Sequence, residues 1–211
     1  KPNLLSNHGP EKAVTTHPAF VEAVAEEVLK ITKDKANVLI ADSPGPSVPF
    51  SEEGLKKLYN ETGMDLVSKK TGIRLNYDLS SNEVSLKEAR LLKRTKLIRP
   101  AIWADKIINL AKFKTHDLMI FSGAVKNMFG LIPGMAKPGL HLSFSDKSLF
   151  AEMLIDVAYF KKPVISLIDG IVGMEGNGPG RNGTPRNINI IIAGTDPIAI
   201  DTVASEIAEI K

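Results

Sequence analysis

Lys112, Lys114 and His116 alternate in the run Lys112-Phe113-Lys114-Thr115-His116. If the run is extended, alternate side chains share a face and next neighbours lie about 6.6 Å apart. Two ammonium groups and an imidazole on one face are costly unless an anion meets them. An edge strand guarded by lysines is the other reading. Ser122-Gly123-Ala124-Val125-Lys126-Asn127 follows, a small-residue turn that opens a helix. A helix start offers free N–H groups and the positive end of the dipole to phosphate or carboxylate. Lys126 in the first turn would reach the same anion. The GxxxxGK[ST] phosphate loop is absent. A third stretch, 133–141, sets Lys137 and His141 in a loop of glycine and proline, the kind of segment that often carries function.

The fourth candidate is the stretch 164–186, VISLIDGIVGMEGNGPGRNGTPR. Its apolar run ends in Asp169, expected at the C-terminal end of a strand, where open α/β sheets build their sites. It then opens into a loop rich in glycine, in which Gly176 and Gly178 would let the backbone approach a ligand. Glu175 is a candidate base, and Arg181 and Arg186 suit a bidentate grip on carboxylate or phosphate. His116, His141, Asp169 and Glu175 are thus the candidate catalytic groups. Lys112, Lys114, Ser122, Gly123, Lys126, Asn127, Lys137 and the two arginines are candidate binding groups, joined by Asn3 and Asp42 near expected strand ends. Asp42, His116, His141 and Asp169 together could hold a divalent cation, although no HxH or HExxH spacing supports it.

The elements that must position these groups alternate. A helix starts at Pro18 after Thr15-Thr16-His17, and a short strand spans 37–42. A polar amphipathic helix covers 51–62 with Ser51 as its cap. Residues 106–116 read as a strand, with a short helix from Ser122-Gly123 to Gly130 and a longer one over 147–160. Strands at 164–169 and 187–194 precede a final helix, capped by Thr195 or Asp196 with Pro197 in its first turn. The expected fold is α/β, a mostly parallel sheet flanked by helices. Residues 64–100 read as a small β-rich, antiparallel insertion in a single domain over 1–211.

Composition narrows the function. The 211 residues carry a net charge of +3 and no cysteine. That excludes disulfides, thiolate metal sites, cysteine nucleophiles and an iron–sulfur cluster held by this stretch, and it fits a reducing, cytoplasmic setting. No apolar run approaches the roughly 20 residues of a membrane span. No long Lys/Arg run with interleaved aromatics points to nucleic acid. The start at Lys1 rather than methionine leads us to expect a natural chain that extends further.

Several blocks together, KPN, THP, ADSPG, KFKTH, SGAVKNMFGLIPG, DGIVGMEGNGPGRNGTPR and AGTDPIAIDTVA, resemble the family called domain of unknown function 362. The blocks run over nearly the whole chain, apart from 64–100. They fall on Asn3, His17, Asp42, Lys114, His116, Lys126, Asn127, Lys137, His141, Asp169, Glu175 and Asp196, and this is what adds His17 to the candidates. The resemblance implies an α/β domain of prokaryotic proteins. In longer members it is often joined to a ferredoxin-like segment with two [4Fe–4S] clusters, a segment that this cysteine-free stretch does not contain. The resemblance implies no settled activity. Three functions stay open: an enzyme acting on a small anionic metabolite through a Lys/His/Asp cleft, with redox chemistry possible in the family; a non-catalytic module that binds a cofactor or a redox partner; and a divalent-metal enzyme.

Overall fold

The computed structural model describes residues 1–32, 34–180 and 182–210. The fold is α/β. Helix α1 (Pro18–Thr32) opens on Pro18 and turns Phe20, Val21 and Ala25 inward. Strand β1 is only Leu39–Ile40. Helix α2 (Glu52–Glu61) is capped by Ser51, whose Oγ accepts from the Gly54 N–H at 3.0 Å.

The stretch read as β-rich begins instead with a helix, α3 (Met64–Thr71). Gly63 and Gly72 bracket it with φ of 76° and 74°, conformations that glycine adopts without strain. Met64 and Val67 form its buried face, and Asp65 pairs with Lys69 one turn on. Helical spacing over eight residues thus overrides the apparent alternation. Strand β2 (Arg74–Leu75) pairs in parallel with β1. The expected antiparallel pair follows, β3 (Ser81–Ser85) with β4 (Arg94–Ile98), and then the short helix α4 (Arg99–Trp103).

Strand β5 (Ile108–His116) forms the axis of the main sheet. Strand β6 (Ile120–Ser122) leads into helix α5 (Ala124–Asn127) and a 3-10 turn to Leu131. Helices α6 (Lys137–Ser143) and α7 (Lys147–Phe160) come next, the latter capped by Asp146. Asp156 of α7 accepts the N–H groups of Arg90, Leu91 and Leu92 at 2.7, 2.8 and 2.8 Å, which ties the connection between β3 and β4 to that helix. Strands β7 (Ile165–Gly176) and β8 (Gly183–Gly194) and helix α8 (Pro197–Ile207) complete the chain.

The main sheet has the order β6-β5-β7-β8. Only β5 and β7 run parallel; β6 and β8 lie antiparallel to their neighbours. The expectation of a mostly parallel sheet holds only for the central pair. The cause is the length of the connections: the few residues between β5 and β6, or between β7 and β8, allow a hairpin, whereas a parallel return needs a dozen or more. One sheet face packs Ala111, Phe113 and Ile168 against Ala124 of α5 and Ile200 and Ala204 of α8. The other sets Leu110 against Leu4, Phe20 and the helices of the N-terminal half. Among the described residues no helix is long and apolar enough to cross a membrane.

Candidate functional site

The opening segment lies across the sheet and draws distant elements together. Pro2 bridges to Leu110. Asn3 donates its N–H to Thr16 Oγ1, which donates in turn to the Leu110 carbonyl, both at 2.8 Å. The Leu4 N–H reaches Asp42 Oδ2 at 2.7 Å, and Lys1 Nζ lies 2.6 Å from Asp42 Oδ1. Gly130 has to be glycine here, because a Cβ would collide with Asp42 and lie 2.6 Å from Lys1 Nζ.

Beside this junction is a hollow of 160 Å³, about ten times the ~15 Å³ one water needs. Asn3, Asp42, Lys114, His116, Ser122, Lys126, Asn127, Lys137 and His141 line it, with Ser43, Phe129, Gly130, Pro138 and Pro179. The sequence candidates from five separate stretches thus meet. Ser43, Phe129 and Lys1 escape sequence reading. Ser43 and Phe129 are neighbours of flagged residues inside the same blocks, but nothing in their types marks them.

Positive charge dominates the hollow. Among the described residues Asp42 is its one acidic lining residue, and it is already engaged by Lys1. Lys114 Nζ donates to Asn3 Oδ1 at 3.0 Å and to the Val14 carbonyl at 2.6 Å. Lys137 Nζ donates to the carbonyls of Ser43 and Pro44 at 2.5 and 3.1 Å. Among the described residues, Lys126 Nζ meets no hydrogen-bond acceptor and lies 5.8 Å from the centre of the Phe129 ring. Burial pushes Lys126 down to about 8, opposed by Asp117. Burial pushes Lys137 to about 7, with Asp42 opposing and Lys1 and Lys126 adding to the fall. Lys114 is held well below the ordinary lysine range by burial and then by Lys126, with Asp42 opposing.

The two histidines differ. The N–H groups of Leu118 and Met119 point at His116 Nδ1, at 3.1 and 3.3 Å, so Nδ1 is an acceptor and Nε2 carries the proton. The Asp117 carboxylate, 3.0 Å from Nδ1, is mostly exposed and screened by solvent. Burial, then Lys126, Lys114 and His141, push His116 down to about 2. It is a neutral hydrogen-bond donor, not the proton acceptor its type invites. His141 stacks on Phe150 at 4.5 Å and meets Phe129 edge-on at 5.7 Å. Its ring nitrogens make no hydrogen bond among the described residues. Burial lowers its proton affinity, as do Lys126 and Lys137, against Asp117.

Other candidates lie elsewhere. Asp169 is not at a strand end: β7 runs on to Gly176, and Asp169 is fully buried. It accepts from Lys112 Nζ at 2.8 Å and from the His17 N–H at 2.9 Å. Lys112 and Asp169 are therefore a closed internal pair, and the exposed ring of His17 sits at the start of α1. Glu175 and Arg186 pair across the solvent-facing hairpin at 2.6 Å. Arg181 lies outside the described residues.

The glycine-rich stretch is mostly hairpin too. A Cβ on Gly170 would lie 2.7 Å from the Ile190 side chain, and one on Gly173 would collide with Ile188. These glycines admit apolar neighbours across the strand rather than a ligand. Gly176 takes φ of 73°, and Gly178 packs against the Thr115 backbone.

The start of α5 is also closed. Asp201 of α8 accepts from the Ala124 and Val125 N–H groups at 2.5 and 2.9 Å, and Gly123 lacks the Cβ that would block it. The helix terminus expected to bind an external anion thus holds an internal one. Nor do Asp42, His116, His141 and Asp169 form a cation site. Among the described residues no three His, Asp or Glu side chains gather for a metal. Asp42 and Asp169 are each neutralised by a lysine, and the imidazoles stand among ammonium groups that repel a cation.

The family model described as domain of unknown function (DUF362) matches residues 1–206, and the chain belongs to that family. It is 33% identical over 214 residues to a thylakoid-associated protein of Synechocystis sp.. That match covers 100% of this chain and 62% of the relative, so the chain spans less than two thirds of the relative's length. No solved structure matches the chain.

Proposed function

For this member of that family we propose that the hollow binds a small anionic metabolite, carboxylated or phosphorylated, as the substrate of an enzyme in which His141 exchanges a proton with it. One observation carries the reading. Lys114, Lys126 and Lys137 converge on one hollow whose single carboxylate among the described residues is already taken by Lys1. Gathering cations away from water without a counter-charge is unfavourable, and a bound anion removes that cost. Its charge also raises the proton affinity of the lysines and of His141, so binding takes up protons.

The size of the hollow suits a ligand of about ten non-hydrogen atoms. The neutral His116, with Nε2–H free to donate, orients an oxygen of the ligand. His141, neutral and unbonded, is the group able to accept a proton.

Sulfate is a suitable probe because its charge is constant near neutral pH. A hundredfold excess over Kd should raise Tm by about 5–10 °C relative to chloride at equal ionic strength. Lys126→Met should weaken that binding on the order of tenfold, about 1.4 kcal/mol, with the chain still folded. A parent protein whose Tm responds equally to the two salts would refute the reading.

A further inference from the structure

We propose that the bound anion is a small oxo acid and that Lys126 captures its carbonyl carbon as an imine; this rests on the anion-binding reading above. The lysines around the hollow are not equivalent. Lys1 is held by the Asp42 carboxylate at 2.6 Å. Lys112, on the same face of β5, is held by Asp169 at 2.8 Å. Lys114 directs its N–H bonds at Asn3 and Val14, and Lys137 at Ser43 and Pro44. Each of these nitrogens faces protein oxygens, which fix it as a donor.

Lys126 alone among them has no oxygen partner among the described residues, and it lines the hollow beside the Phe129 ring. An amine with no carboxylate partner and next to other cations is a setting in which lysine becomes a nucleophile. Burial, which lowers its proton affinity to about 8, favours the same state.

The hollow then divides its work. Lys114, Lys137 and the His116 donor hold the carboxylate, and the lone pair of Lys126 Nζ adds to the carbonyl carbon. Both protons of the amine leave with the oxygen. His141 carries them in turn, the C–O bond breaks, and the products are a C=N bond and one water. No oxidant or reductant takes part.

Pyruvate with sodium cyanoborohydride tests this on the intact chain, because the reagent reduces an imine to a stable secondary amine. The expected result is a mass gain of one carboxyethyl group, mapped by peptide digestion to Lys126. Acetone, which lacks the carboxylate, should label on the order of tenfold more slowly. Lys126→Arg keeps the positive charge, so the sulfate-induced rise in Tm should persist while the label disappears. Labelling spread over exposed lysines, equal labelling by acetone, or no label on Lys126 while sulfate still binds would each overturn the imine and leave the anion site standing. Absence of any sulfate response in the parent would remove the anion site, and the imine with it.

Discussion

Lys112 and Lys114 stand two residues apart on one face of β5, and both are almost fully buried. Lys112 meets a carboxylate, Asp169, and the pair is sealed inside the sheet. Lys114 meets only an amide and a carbonyl oxygen, and it opens on a hollow shared with Lys126 and Lys137. The residue type, strand and face are the same. What differs is whether the fold supplies the opposite charge. Where it does, the lysine holds the structure together; where it does not, the deficit is what an external anion can fill.

The sharpest way to break this contrast is to unbalance the closed pair. Asp169→Ala leaves the Lys112 ammonium buried without a partner and should cost about 3–5 kcal/mol of stability, read from urea unfolding. A loss below about 1 kcal/mol would mean that Asp169 is not a structural counter-ion.

The open cluster should respond to pH instead. Lys137 and Lys126 titrate at about 7 and about 8 in the folded chain, against 10.5 ordinarily. Between those values the unfolded chain binds more protons than the folded one, so these two groups make stability rise with pH from about 7 to about 10 when no anion is present. Sulfate affinity should fall over the same rise, on the order of tenfold for each charge lost. Calorimetric titrations at about pH 6.5 and about pH 9 read this directly, and a pH-independent affinity would contradict it.

The smallest effect belongs to the solvent-facing pair. Arg186→Ala removes a solvent-screened pair and should leave both the urea unfolding midpoint and the sulfate response unaltered. A lost response would extend the site to the hairpin.

Much of this was legible because local chemistry governs it. The alternation of Lys112, Lys114 and His116 follows from strand geometry alone, and the caps Ser51 and Asp196 act within their own helices. The blocks carrying Asn3, Asp42, Lys126, Lys137 and His141 do meet.

What escaped depends on neighbours far along the chain. The type and position of Asp169 invite catalysis, and only the register of β5 on β7, which sets Lys112 opposite it, shows that its charge is already used. The same holds for the start of α5, filled by a carboxylate 76 residues away. His116 lost its expected role as a base to two backbone N–H groups. The glycine run read as a loop because glycine marks both close approach to a ligand and close packing of strands. Only the apolar side chains of Ile188 and Ile190 across the hairpin distinguish them.

The most direct test is a crystal structure of the protein grown or soaked in sulfate. The expected result is one tetrahedral anion in the hollow, within hydrogen-bond distance of the amines of Lys114, Lys126 and Lys137. A saturating soak that leaves the hollow to water, or places its sulfate only on surface lysines, would contradict it.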